Sequence, residues 1–401
     1  MILLRLLPII YILNLNVLHF SFRDFNVSKN FISSSPPITI TLNRTFDFNS
    51  EEFIVGEVGP IFIDSLNRVF VGDTKLTKIH VFDTDGTFIK SLGNQGKGPG
   101  DFSYITRNTD IHFNKDTFYI TDTFQFFPYR AHVYQFNDLS FSHTINLTPS
   151  NKSSIDILTG YEIFRLYQIN ENSILVSMHK TLGKFDPLNN RVYWMTYDVA
   201  SRNINPDPIL TQKGVRYVQH NYEINNWRVD ATHSFPFFSK PLHFVRNNGV
   251  IYTANSEKLS ITKTDFFGNY INSFEYPVSS PHFERSWVRD LYIRTNYMPS
   301  YDRNSGERII IRMLDDLKDV PERWPEMEQF YVDELNRIWV NIVSNPNEYK
   351  KWIIFNDSGE FMMDFNWNND SEIIHINKQF IFAVSENDLG EKILLRFQYT
   401  L

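Results

Sequence analysis

The 401-residue sequence contains no cysteine. That excludes a disulfide framework, a thiolate metal site, a cysteine nucleophile and a cysteine-linked lipid anchor. Basic excess is missing too, since 39 Lys and Arg face 46 Asp and Glu for a formal charge of −7. Wholesale electrostatic capture of nucleic acid or of an anionic membrane is therefore not expected. No apolar run reaches the about 20 residues that span a bilayer. The nearest, Leu6 to Leu13, follows Arg5 and is broken by Asn14, Asn16 and His19. Its shape is that of a secretory signal. Residues 1–22 are accordingly expected to be a signal sequence or an uncleaved anchor, and the Ser-, Asn- and Pro-containing stretch 23–37 a linker. The expected location is outside the cytoplasm, periplasmic or extracellular, with membrane attachment only through that N-terminal segment. Three catalytic signatures are also missing: Gly-x-Ser-x-Gly, His-x-His and His-Glu-x-x-His. Neither a hydrolase elbow nor a short-spaced zinc site has local support.

What the sequence does have is a repeat, and repeats decide architecture before any other signal. An apolar segment recurs six times: RVFVGD (68–73), TFYITD (117–122), SILVSM (173–178), VIYTAN (250–255), RIWVNI (337–342) and QFIFAV (379–384). Each follows another apolar strand across a short turn that opens with Asp64, Asn114, Asn170, Arg246, Asp333 or Asn377. Asx side chains bond nearby backbone amides and favour such turns. Third strands follow at 78–83, 132–137, 192–198, 259–265, 352–357 and 393–399, and most then turn through loops such as Asp83-Thr84-Asp85-Gly86. Fourth strands come next, with a poor match near 203–210.

The sixth unit stops after its third strand. ITITLNRTFDF (38–48) is the remaining β-like segment, and an unpaired terminal edge invites aggregation. The predicted fold is thus all-β: a six-bladed β-propeller of four-stranded antiparallel blades, closed by an N-terminal strand that completes the last blade. Residues 38–401 form one domain, and 38–48 should pair with 393–399.

The segments GTFIKSLGNQGKGPGDF (86–102), DELNRIWVNI (333–342) with WIIFNDSGEF (352–361), and NDLGEKILLRFQYTL (387–401) together resemble the six-bladed NHL-like β-propellers of exported bacterial proteins. The likeness covers roughly residues 38–401 and is weakest in blade three and around 211–240, by the logic of repeat signatures. It implies no catalytic residue.

In an antiparallel meander the first-to-second and third-to-fourth turns lie at one end of the blade and the other connections at the opposite end. Every long insertion falls in the second class: Thr121 to Arg130, His179 to Asn190, Thr211 to Lys240, Pro277 to about Glu326, and Val343 to Lys350. Loops on a rigid frame carry function, so this elaborated face is the expected site. Arginine, tyrosine and tryptophan are enriched where proteins bind partners. Candidate binding residues are Arg130, Arg216, Tyr217, Tyr222, Trp227, Arg228, Arg285, Trp287, Arg289, Arg294, Tyr297, Arg303, Arg323 and Trp324. The competing reading is that they pack the loops onto the ring. Ser280-Pro281 could open a helix across the mouth, with Phe283, Trp287, Val288, Leu291 and Tyr292 on one face, and a second helix could cover Leu314 to Val320.

The glycines at 93, 96, 98 and 100 suggest a phosphate loop, but Pro99, Asp101 and Phe102 do not open the helix such a loop needs. They are read as a crossover between blades. Asp73 and Asp122 end equivalent strands and are read as two copies of one turn-stabilising contact rather than a carboxylate pair. The functional expectation is a non-catalytic scaffold that presents its looped face to a peptide, glycan or protein, with no cofactor and no nucleic acid. The alternative is a metal-dependent lyase or lactonase at the channel mouth, with His220, His233, His282, Asp230 and Glu284 as the ligands such propellers would need.

Overall fold

The structure is a computed structural model that describes residues 38–49, 53–106, 109–124, 127–148, 150, 161–170, 172–180, 190–224, 227–246, 249–294, 311–344 and 349–401. The expected signal segment and linker lie outside the described residues. Strand β1 (Thr39–Phe46) precedes the first blade, which is β2 (Val58–Ile63), β3 (Val69–Asp73), β4 (Lys78–Phe82) and β5 (Phe88–Leu92). Blade two is β6 (Ile111–Phe113), β7 (Thr117–Phe124), β8 (Phe127–Gln135) and β9 (Phe141–Asn146). Blade three is β10 (Tyr161–Asn170), β11 (Ser173–Lys180) and β12 (Arg191–Asp198), followed by the short β13 (Asn203–Ile204) and β14 (Leu210–Lys213). After the hairpin β15 (Val218–Ile224) and β16 (Trp227–His233), blade four is β17 (Pro241–Val245), β18 (Val250–Asn255), β19 (Ser260–Asp265) and β20 (Tyr270–Glu275). Helix α1 (Arg285–Arg294) lies in the next insertion. Blade five is β21 (Met327–Val332), β22 (Ile338–Ile342), β23 (Lys350–Phe355) and β24 (Phe361–Trp367), and blade six is β25 (Glu372–Ile376), β26 (Phe380–Glu386) and β27 (Lys392–Thr400).

Every blade is antiparallel, and β1 supplies the outer strand of blade six beside β27. Its register runs from Thr39 opposite Thr400 to Phe46 opposite Leu394. The closure expected from the sequence is therefore the one observed. Blade three departs from the regular plan, because its fourth strand is split into β13 and β14, both paired to β12.

The apolar core is divided among the interfaces between blades. One cluster joins blades six and one through Phe46, Val71, Phe382 and Leu394. A second joins blades one and two through Phe70, Leu92, Phe118 and Tyr134. Blades two and three meet at Tyr119, Leu166 and Met178, and blades three and four at Tyr167, Trp194 and Ile251. Blades four and five share Tyr252, Ile261 and Phe355, while five and six bury Trp339, Trp352, Trp367 and Phe397. Six interfaces thus close a ring of six blades in sequence order.

The turns repeat at atomic detail. In Asp64-Ser65-Leu66-Asn67-Arg68 and Asp333-Glu334-Leu335-Asn336-Arg337, one carboxylate oxygen accepts the amides two and four residues on. The other oxygen pairs with the arginine Nε at 2.6 Å in both. Asn67 and Asn336 take φ of 63° and 62°, the left-handed region that asparagine tolerates. Each arginine then reaches the neighbouring blade, Arg68 to the Phe136 carbonyl and Arg337 to the Tyr399 hydroxyl.

Removal of residues 38–48 leaves β27 as an unpaired edge. The truncated protein is expected to self-associate, and size-exclusion chromatography with light scattering should show species larger than those of the parent.

Candidate functional site

Strand direction places the second-to-third loops and the blade-to-blade crossovers on one face. Part of what the sequence suggested as insertion there is strand extension, for β7 and β8 continue their pairing as far as Phe124 opposite Phe127. The first large insertion starts later than the expected 211–240, because Thr211–Lys213 belongs to β14 and pairs with β12; with the second, 277–326, it builds a cap with a core of its own. Phe235, Phe237, Phe238, Val288, Met313 and Leu314 are buried in it, with Phe283, Leu317 and Trp324 packed around them. Phe237 touches the rings of Phe235, Phe238, Phe283 and Trp324.

Helix α1 begins at Arg285, later than the Ser280-Pro281 opening suggested. The reason lies in the Ser280 hydroxyl, which donates to the Trp324 carbonyl at 2.6 Å instead of capping a helix. Among the described residues the second helical segment ends at 316, so Leu317 to Val320 of the expected Leu314 to Val320 are not helical.

Most of the described candidate arginines hold this architecture together. Arg216 pairs with Asp319 at 2.8 Å and lies over the Phe238 ring. Arg285 donates to the carbonyls of Leu314 and Leu317, and Arg289 pairs with Asp315. Arg323 binds the Ser280 carbonyl and the His282 ring. Trp287 is half-buried on α1, and Tyr217 precedes β15. Tyr222, Trp227 and Arg228 belong to the β15–β16 hairpin, where Tyr222 faces Val229 and Arg228 faces Glu223 in register. Their side chains, like that of Arg294, lie outside the described residues, as do Tyr297 and Arg303 entirely.

Arg130 has a different task. Its Nε pairs with Asp122 at 2.7 Å, and its Nη atoms donate to the carbonyls of Lys97, Gly96 and Asp101. It clamps the glycine-rich crossover. Gly93 there has φ of 66°, and a Cβ would sit 2.3 Å from the Phe102 ring. The backbone folds on itself, with the Phe102 amide donating to the Asn94 carbonyl and the Gly96 amide to the Phe102 carbonyl. These glycines serve close packing between blades.

The two equivalent aspartates organise a repeated network. Asp73 accepts the amides of Gly56, Glu57, Lys75 and Leu76, and His80 bridges it to Ser91. Asp122 accepts the Ser103 amide and faces His132, whose other nitrogen meets Thr144. Although the order Ser-His-Asp has the composition of a nucleophilic triad, both imidazoles and both carboxylates are buried. Burial alone would raise the Asp73 pKa, but the Leu76 and Gly56 amides, the His80 ring and the Glu57 amide outweigh it and hold it low.

Among the proposed metal ligands, His233 is buried against the Phe235 ring and burial pushes its pKa down to about 4. His282 is held by Arg323, and Glu284 is exposed. The side chains of His220 and Asp230 lie outside the described residues. No group of three or more His, Asp or Glu placed to hold a metal occurs among the described residues.

A polar site does form elsewhere, on the ring axis. First strands of successive blades approach one another there, β17 with β21, β21 with β25, and β25 with β2. Arg165, on β10, pairs with Asp110 through Nη1 at 2.9 Å, yet 49% of its side chain is accessible. Asp110 and the other neighbouring charges raise its already high pKa. Burial, with Arg165 adding to it, lowers His112 to about 4 and His243 to about 3, so both rings are neutral. Tyr331 donates to the Ile373 carbonyl at 2.9 Å and lies within electrostatic reach of Glu372, Arg165 and Glu328. The Glu372 carboxyl is raised by burial and by Glu328, against the pull of Lys350, Lys240 and Lys392.

Residues 49–277, more than half of the chain, match the DUF5128 family of 6-bladed β-propellers. The chain belongs to this family. No curated protein matches it. A solved structure of a protein described as exported, from Bacteroides fragilis, is similar with a TM-score of 0.50 at 12% identity, over 92% of this chain and 97% of that one. A DUF4221 member from Bacteroides vulgatus gives 0.45 at 9% identity, covering 92% and 99% of the two chains. Virginiamycin B lyase from Staphylococcus aureus gives 0.40 at 8% identity, over 91% and 99%. Similarity at these identities concerns the fold alone. No helix among the described residues is long and apolar enough to cross a membrane.

Two measurements check the structural roles assigned to these residues. Gly93→Ala is expected to lower stability by at least about 2 kcal/mol, because both the positive φ and the Phe102 contact oppose a side chain. Thermal denaturation reads it. For Asp73, a folded pKa below the unfolded one adds stability that is complete above the unfolded value and lost as pH falls through the folded value. Asp73→Asn should therefore cost about 2–4 kcal/mol near pH 7, and the gap to the parent should shrink as pH falls below the ordinary aspartate range and through the folded carboxyl's lowered value.

Proposed function

We propose that this DUF5128 propeller is a non-catalytic binding module that acts outside the cytoplasm and presents its elaborated face to a peptide, glycan or protein. The observation that supports this reading most is the cap. Two insertions, separated in sequence by all of blade four, share one apolar core on a single face, whereas the opposite face keeps short Asx turns. A rigid platform on one side of a ring is a surface for contact. Export fits the apolar N-terminal segment behind Arg5, and the NHL-like blade exits belong to the same proposal. Most of the described arginines of the two insertions support the loops, so contact residues are sought instead on the β15–β16 hairpin.

Deletion of residues 218–233, rejoined by a short Gly-Ser linker, should abolish retention of the partner on peptide and glycan arrays while the ring still melts cooperatively. Retained binding would overturn the assignment of this face. Elemental analysis of the purified protein should find no stoichiometric metal, and Ca²⁺, Zn²⁺, Mn²⁺ and Mg²⁺ should leave the melting temperature unchanged. A stoichiometric ion would replace the binding reading with a metal-dependent one.

A further inference from the structure

The first strands of a propeller line its central channel. Here, in three blades, the residue five positions before the turn residue is charged: Arg165 before Asn170, Glu328 before Asp333, and Glu372 before Asn377. Blades three and six stand opposite each other in a ring of six, so the strands that carry Arg165 and Glu372 lie on opposite sides of the axis. The phenol of Tyr331, anchored to the Ile373 carbonyl, feels both charges.

Each of these two groups is incompletely satisfied. Asp110 takes Nη1 of Arg165, and no other hydrogen bond or ion pair among the described residues holds the guanidinium. The edge formed by Nε and Nη2 is left, and that edge matches a carboxylate two-toothed. Glu328 accepts from the Asn341 amide at 2.9 Å. Glu372, by contrast, receives no hydrogen bond and no ion pair from the described residues, and Lys240, Lys350 and Lys392 stay beyond ion-pair distance of it. The Nδ1 atom of His243, near Arg165, is also buried without a partner. A partly buried carboxylate without a donor is costly unless something else supplies one.

A plain anion would meet the carboxylates of Glu328 and Glu372, at equivalent positions of their strands, and a plain cation would meet Arg165. A molecule carrying both charges avoids either conflict. We propose that the channel binds a small zwitterion, an α-amino acid or short peptide, with its carboxylate on Arg165 and its ammonium on Glu372. The proposal rests on the binding reading above but concerns a different place, the axis rather than the cap.

Isothermal titration of the full-length protein with L-alanine and with dialanine tests it, with propionate and ethylamine as single-charge controls. One of the two zwitterions should bind saturably at one site per chain, and whichever is tighter separates free amino acid from peptide. Each control should bind at least about tenfold more weakly. Arg165→Gln and Arg165→Lys should both lose affinity about tenfold or more, the second because lysine lacks the planar fork. Glu372→Gln should lose the zwitterion and improve propionate, a reversal that a merely structural role would not produce. Cooperative melting of each variant confirms folding. Absence of saturable binding by either zwitterion, or binding untouched by the Arg165 and Glu372 substitutions, would overturn the proposal. Loss of partner retention in the hairpin deletion but not in Arg165→Gln would leave the cap reading standing alone.

Discussion

A four-stranded blade has two apolar faces and cannot bury either by itself. Each face must find the next blade, so the last must find the first. The ring depends on that closure, and here it is made by one N-terminal strand. Ile40, Phe46 and their neighbours pair with β27 and also pack into the clusters that flank blade six. The seam joins the two ends of the described chain. Apolar burial supplies the driving force, while the Asp-Arg turns bridge successive blades and set their spacing through Arg68 and Arg337.

Closure also creates the environment of the axial charges. Arg165 is accessible to water but surrounded by protein, and nearby imidazoles lose their protons there to values of about 4 and about 3. Charges in such a channel are screened less than at the outer surface. Arg165 lies beside the Asp110 carboxylate, whereas Glu328 and Glu372 belong to blades five and six. The cap contributes differently. Its arginines bridge its own loops, to carbonyls in the case of Arg285 and to carboxylates at the surface in the cases of Arg216 and Arg289.

The repeats were legible because strand alternation and Asx or glycine turns are local. Six copies of a second strand, the turns at Asp64 and Asp333, and the closing strand at 38–48 all follow from spacing alone. Helix α1 was legible as a helix but not in its start, since Ser280 is drawn away by Trp324, 44 residues downstream. The roles of Arg130 and of the glycine run were half legible: the absence of a helix after Phe102 argued against a phosphate loop, but the clamp to Asp122 needed coordinates. The axial set was missed. Its signal was present as a charged residue at 165, 328 and 372, where the other three blades have Gly59, Thr109 and Pro241.

By itself the sequence determined the blade count, the order of strands and the face that carries insertions, because each rests on patterns within about ten residues. Tertiary structure decided which charges meet. Arg165 and Glu372 are 207 residues apart in the chain, and only a closed ring of six interfaces sets them on opposite walls of one channel. Tertiary structure also decided that Arg216, Arg285 and Arg323 are struts, because an arginine's partner is chosen by distance in space and not by its neighbours in sequence.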